Sequence, residues 1–110
     1  MAQVIWTAPA LSDLNEIADY IALDNFRAAQ RLVQRVFSNV ERLEQFPESG
    51  RKPPELEGLR YREIIIGPCR VFYRSEQDKV FILYVMRGER QLRKYLIDER
   101  AQKKATNRVN

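Results

Sequence analysis

Apolar positions in the first half of the chain recur every three or four residues. Leu11, Leu14, Ile17, Ala18 and Ile21 form one such series, with Asp13, Glu16 and Asp19 falling largely between them, and this predicts an amphipathic helix. Thr7 supplies a side-chain cap, and Pro9 sits early in the helix, where a missing N–H costs nothing. Asp24-Asn25 breaks the pattern, and Asn25 caps a second helix expected to run to about Gln45. Its inner face is Ala29, Leu32, Val33, Val36, Phe37, Val40 and Leu43, with Arg27, Arg31, Arg35 and Arg42 on the other side. A joint this short makes the two helices an antiparallel hairpin.

Elsewhere the pattern is that of strands. Gln3 to Thr7 carries β-prone Val4, Ile5 and Trp6. Phe46-Pro47-Glu48-Ser49-Gly50 ends the helical half, and the segment from Pro47 to Gly58 is long for a connection in a small domain. Strands are then expected at Leu59 to Ile66, Cys69 to Arg74 and Val80 to Met86, divided by Gly67-Pro68 and by Glu76-Gln77-Asp78. Val80 to Met86 is apolar on both faces, which places it centrally in the sheet. A short helical turn is expected over Arg90 to Ile97, then a frayed polar end from Ala101 to Asn110.

The predicted fold class is therefore α+β: an N-terminal strand and a helical hairpin packed on a three-stranded antiparallel meander, with a short C-terminal helical turn. Residues 1–97 are expected to form one domain and residues 98–110 a polar basic tail. A single core would unite Leu14, Ile17, Val33, Val36, Phe37, Val40, Phe81 and Leu83. The hairpin would cover one sheet face and leave the other partly open for chemistry.

With 110 residues, 45% hydrophobic and 31% charged, the chain suits one globular domain. Val80 to Met86, its longest apolar stretch, is too short to span a bilayer, and the N-terminus lacks the features of a signal peptide. A single cysteine, Cys69, cannot form an internal disulfide, so the cytoplasm is the expected location. Charge is unevenly distributed. Residues 1–86 hold 11 Lys/Arg against 12 Asp/Glu, whereas residues 87–110 hold 8 against 3, a net of +5. Either a polyanion or acidic partner meets this basic end, or it is a solvated face.

The absence of histidine removes His-based acid–base pairs, triads and the common metal sites, and the four scattered glycines form no phosphate-binding loop. No cofactor is expected. Cys69 reads as a packing residue, and Glu55 and Glu57 as solvated loop carboxylates. Arginine and tyrosine remain, crowded around the strands at Arg60, Tyr61, Arg62, Arg70, Tyr73, Arg74, Arg87, Arg90, Arg93, Lys94 and Tyr95. Arg70, Phe72 and Arg74 share one strand face, and Arg62 joins them if the neighbouring strand pairs in register. Guanidinium groups grip phosphates and aromatic rings stack on bases, so the set is compatible with RNA cleavage. On composition alone, structural ion pairs to Glu63, Glu89 and Asp98 on a solvated sheet face are the favoured reading.

Taken in order, Trp6-Thr7-Ala8, Asp13 to Ile21, Phe46-Pro47-Glu48-Ser49-Gly50, Gly58 to Arg62, Cys69 to Arg74 and Val85 to Arg90 resemble the RelE/ParE toxin family over about residues 3–97. The resemblance implies the toxin of a type II toxin–antitoxin pair, with functions in growth inhibition and plasmid stabilisation. Its implied partner is a cognate antitoxin, in a hetero-oligomeric complex with no membrane involvement. It leaves two targets open. A RelE-like ribosome-dependent mRNA endonuclease would use Arg62, Arg70, Arg90 and Tyr95 as catalytic residues, although Ile64 stands near a position where such enzymes carry a lysine. A ParE-like protein would poison DNA gyrase without performing chemistry of its own. Target or antitoxin binding would then fall to Arg87, Arg90, Arg93 and Lys94. Arg87-Gly88-Glu89-Arg90 is similar to the ParE ending, with Arg87 in place of the usual histidine, and the long hairpin leans the same way.

Overall fold

The computed structural model describes residues 1–102. The chain runs β1 (Gln3–Trp6), α1 (Ala8–Ala22), α2 (Phe26–Glu41), 3-10 turns at Arg42–Glu44 and Pro54–Leu56, β2 (Tyr61–Ile66), β3 (Cys69–Glu76), β4 (Lys79–Arg87) and α3 (Lys94–Gln102). The predicted caps form. Thr7 Oγ1 accepts from Ala10 N–H at 3.4 Å and donates to the Ile82 carbonyl at 2.7 Å, so one hydroxyl starts α1 and pins the β1–α1 corner to β4. Asn25 Oδ1 accepts from Ala28 N–H at 3.0 Å and starts α2.

The sheet order is β1-β4-β3-β2. Strands β2, β3 and β4 make the antiparallel meander, and β1 joins it as a fourth strand, parallel to β4 from Gln3↔Lys79 to Trp6↔Ile82. Central placement explains why β4 is apolar on both faces.

The β3–β4 ladder slips between Phe72 and Tyr73: Phe72 faces Tyr84 and Tyr73 faces Ile82, so β4 carries one extra residue. This bulge resets the alternation of β4. Val80, Ile82 and Val85 face the helices, while Phe81, Leu83 and Met86 face away.

The expected single core is therefore two. Leu14, Leu32, Val36, Val40 and Leu43 pack against Ile64, Val71, Tyr73, Ile82 and Val85 on the helix side, with Ile17 and Val33 half-buried at its margin. Phe81 and Leu83 are buried as expected, but in a second cluster on the opposite face with Ile5, Leu56, Phe72, Ile97 and Ala101. Phe37 leaves the core and lies over Trp6, with ring centroids 4.9 Å apart and 38% of its surface exposed. The face expected to be open is roofed by α3 and by Leu56 of the β2-preceding loop. That helix starts later than expected and is longer, and Ala101, expected to fray, is 3% exposed within it. The remainder of the expected frayed end, residues 103–110, lies outside the described residues. No helix among the described residues is long and apolar enough to cross a membrane.

Candidate functional site

Cross-strand register decides which arginines meet. Tyr61 pairs with Arg74, Glu63 with Phe72 and Ile65 with Arg70, so Tyr61, Glu63 and Ile65 share the α3 side of the sheet with Arg70, Phe72 and Arg74. Arg62 pairs with Tyr73 and projects to the helix side, where its Nη1 donates to the Gly50 carbonyl at 2.9 Å. The anticipated convergence of Arg62, Arg70 and Arg74 does not occur, because Arg62 is one residue out of phase with the other two.

Arg70 is 8% exposed and enclosed by carboxylates. Its Nε and Nη2 donate to Glu63 at 2.7 and 3.1 Å, and its Nη1 and Nη2 donate to Glu55 at 2.7 and 2.8 Å. The Phe72 ring lies 4.9 Å from the guanidinium carbon. Glu63, fully buried, also accepts from Arg51 Nε at 3.0 Å. Glu55 is thus not the solvated loop carboxylate expected from sequence: its hydrogen bonds from Arg70 hold its pKa down at about 2. The same bonds, to Glu55 first and Glu63 second, push the Arg70 pKa above its ordinary value. Arg70 and Arg51 against Glu63 and Glu55 make a charge-balanced network, without the net positive charge of a phosphate cradle.

The long Pro47–Gly58 connection builds this network. Arg51 exchanges backbone hydrogen bonds with Glu63 at 3.0 and 2.8 Å, and Gly50 N–H donates to Tyr73 Oη at 2.9 Å. A Cβ on Gly50 would sit 2.6 Å from that hydroxyl, so the glycine is required by close approach.

A second arrangement lies where β1 ends and leaves the edge of β4 free. Asp13, Glu16, Ile17, Tyr20, Tyr84, Val85, Met86, Arg87 and Arg90 line a groove of about 430 Å³ between α1 and this edge. Asp13 accepts from Val85 N–H at 3.0 Å and pairs with Arg100 of α3, which also donates to the Leu83 carbonyl at 3.2 Å and stacks 4.3 Å from the Tyr84 ring. Burial raises the Asp13 pKa, opposed by the hydrogen bonds from Arg100 and Val85. Arg87 lies 5.0 Å over the Tyr20 ring and pairs with Glu89 at 2.6 Å. Arg90, exposed, also lines the groove.

Arg87 and Arg90 thus come together, while Arg93 and Lys94 follow as exposed residues at the start of α3. Tyr95 is 64% exposed, and neither it nor Arg90 is brought to Arg70 in any bond or ring contact described here. Of the anticipated ion pairs, Glu63 takes Arg70 and Arg51, and Glu89 takes Arg87. Asp98 instead accepts from Tyr61 Oη at 2.8 Å, and burial together with that bond pushes the Tyr61 pKa to about 12. Asp13, Tyr20 and Arg100 gave no sign of a site role in the sequence, because the groove joins segments about 70 residues apart or more. Cys69 is fully buried, and burial raises its pKa, as suits a packing residue.

Comparison with known proteins bears on the family and the fold. The family model described as "ParE toxin of type II toxin-antitoxin system, parDE" matches residues 4–92. "Toxin RelE2" of Caulobacter vibrioides is 41% identical over 68 residues, covering 62% of this chain and 73% of that protein. "Putative toxin Y4kP" of Sinorhizobium fredii is 37% identical over 89 residues, covering 81% and 91%. A chain in the structure titled "Chromosomal ParDE TA system from P. aeruginosa" superposes with a TM-score of 0.68 at 28% identity, covering 81% of this chain and 98% of that one. With the family model spanning β1 through the β4 edge, the chain belongs to the ParE toxin family of type II toxin–antitoxin systems.

Proposed function

We propose that this toxin poisons DNA gyrase by binding it, rather than cleaving mRNA, and that a cognate antitoxin in the same cytoplasm neutralises it. The observation carrying the reading is the state of Arg70. The residue that would stabilise a scissile phosphate spends four hydrogen bonds on Glu63 and Glu55, while Arg62 is turned to the other face. A phosphate entering there would meet two carboxylates already in place and would have to displace one of them. The groove lined by Arg87 and Arg90, with Arg93 and Lys94 beyond it, is the better surface for a macromolecular target or an acidic antitoxin segment.

The test runs purified toxin against gyrase with supercoiled plasmid, and in parallel against translating ribosomes. Gyrase-dependent double-strand breaks, weakened when Arg87, Arg90, Arg93 and Lys94 are changed to alanine, are the expected result. Site-specific mRNA cuts in the ribosome reaction, with no effect on gyrase, would overturn the proposal.

A further inference from the structure

Strand β4 is longer than the strand beside it. β1 pairs with it only from Gln3↔Lys79 to Trp6↔Ile82, and among the described residues no strand continues that ladder along residues 83–87. The chain turns into α1 at Ala8, and α1 faces the bare edge across the groove of about 430 Å³.

Hydrogen-bond phase tells which backbone groups look into this groove. Gly88 N–H donates to the Pro68 carbonyl at 2.7 Å, so Gly88 and, two residues earlier, Met86 opposite Arg70 bond towards β3. Val85 and Arg87 are out of phase with them and turn their N–H and C=O groups outward. The Val85 N–H bears this out, because it donates to Asp13 of α1 at 3.0 Å. Local groups cap part of the edge: Arg100 donates to the Leu83 carbonyl at 3.2 Å, and Arg90 N–H to the Arg87 carbonyl at 3.0 Å. Val85 C=O and Arg87 N–H are the two groups left facing the groove among the described residues.

An open C=O and an open N–H on either side of one residue, Met86, match a parallel ladder. A single residue of an incoming strand would donate to the first and accept from the second. An antiparallel strand would have to aim one of its own carbonyls at the Asp13 carboxylate, acceptor against acceptor. A helix laid in the groove would satisfy its own backbone and leave both edge groups unpaired. We propose that the cognate antitoxin enters here as an extended segment and adds to β4 as a parallel strand opposite Met86, in line with β1 and beyond it. The inference rests on the reading that this groove takes an acidic antitoxin segment. Parallel direction carries the residues that follow the paired one towards Arg87, and exposed Arg90 lines the same groove, so carboxylates belong in that part of the segment.

Amide hydrogen exchange, followed residue by residue by NMR on the labelled toxin alone and in complex with its co-expressed antitoxin, tests the proposal. The Arg87 amide is expected to exchange freely in the toxin alone and about 100-fold or more slowly in the complex, while the Val85 amide, held by Asp13, is slow in both. Arg90→Glu, at an exposed position, should weaken antitoxin binding by about 10-fold or more with the fold intact. An antitoxin that binds and leaves the Arg87 amide in fast exchange overturns the strand and spares the neutralisation reading, whereas one that does not bind at all removes both. A close Hα–Hα contact across the new edge, the mark of antiparallel pairing, would also defeat the proposal. Protection of Arg87 by gyrase, with none from the antitoxin, would show that the wrong occupant was assigned.

Discussion

Replacing Arg70 with alanine tests the structural reading of the α3 side of the sheet. The substitution deletes four hydrogen bonds and leaves Glu63, with no exposed surface, facing only Arg51, whose side chain is 59% exposed. Breaking a buried pair by removing one partner costs about 3–5 kcal/mol, because the remaining charge is stranded without solvent. The Glu55 half of the network is 42% exposed and adds no more than about 1 kcal/mol. A domain of this size has roughly 5–15 kcal/mol in total. At ~4 °C per kcal/mol, a loss of 3–5 kcal/mol lowers the melting temperature by roughly 12–20 °C. Urea unfolding followed by fluorescence of Trp6, the single tryptophan, measures this directly. A loss of toxicity in Arg70→Ala then reflects instability and says nothing about catalysis. The informative variant changes both partners, Arg70→Met with Glu63→Leu, which removes the charges while keeping similar volume and should recover most of the stability. If that folded double variant still arrests growth, Arg70 has no chemical role. An Arg70→Ala protein destabilised by less than about 1 kcal/mol would refute the reasoning, because the network would then not be the buried clamp described.

Three further outcomes follow from local geometry. Gly50→Ala forces a Cβ to within 2.6 Å of Tyr73 Oη and should cost about 1–3 kcal/mol, read by the same unfolding assay; an unchanged midpoint would contradict the close approach. Gln77 holds φ = 55° in the β3–β4 turn, so Gln77→Gly should stabilise by up to about 1 kcal/mol, and a destabilised variant would show that the Gln77 side chain contributes more than its strained backbone costs. Glu55 has a folded pKa of about 2 against an ordinary 4.5, so its bond to Arg70 contributes stability above pH 4.5 that is lost as pH falls through 2; Glu55→Gln should flatten the acid limb of a stability–pH profile, and an identical limb would refute the assignment.

The sequence by itself determined the elements. Helical periodicity, the Thr7 and Asn25 caps and the Gly67-Pro68 break place α1, α2 and the meander strands within a few residues, because these signals act over one or two turns of chain. The ordered motifs from Trp6 to Arg90 identified the toxin family. Three things were decided only in the tertiary structure. The extra residue in β4 opposite Phe72-Tyr73 carries Phe81 and Leu83 to one face and Val85 and Arg87 to the other, and no local composition marks it. The one-residue phase difference that separates Arg62 from Arg70 exists only once β2 has paired with β3. Glu55 becomes the partner of Arg70 only because the loop carrying it folds over the sheet, bridging 15 residues of chain. Register, bulges and loop docking are set by packing over long sequence separations, so residues that looked like a shared cationic site resolve into a buried ion-pair network and a separate groove.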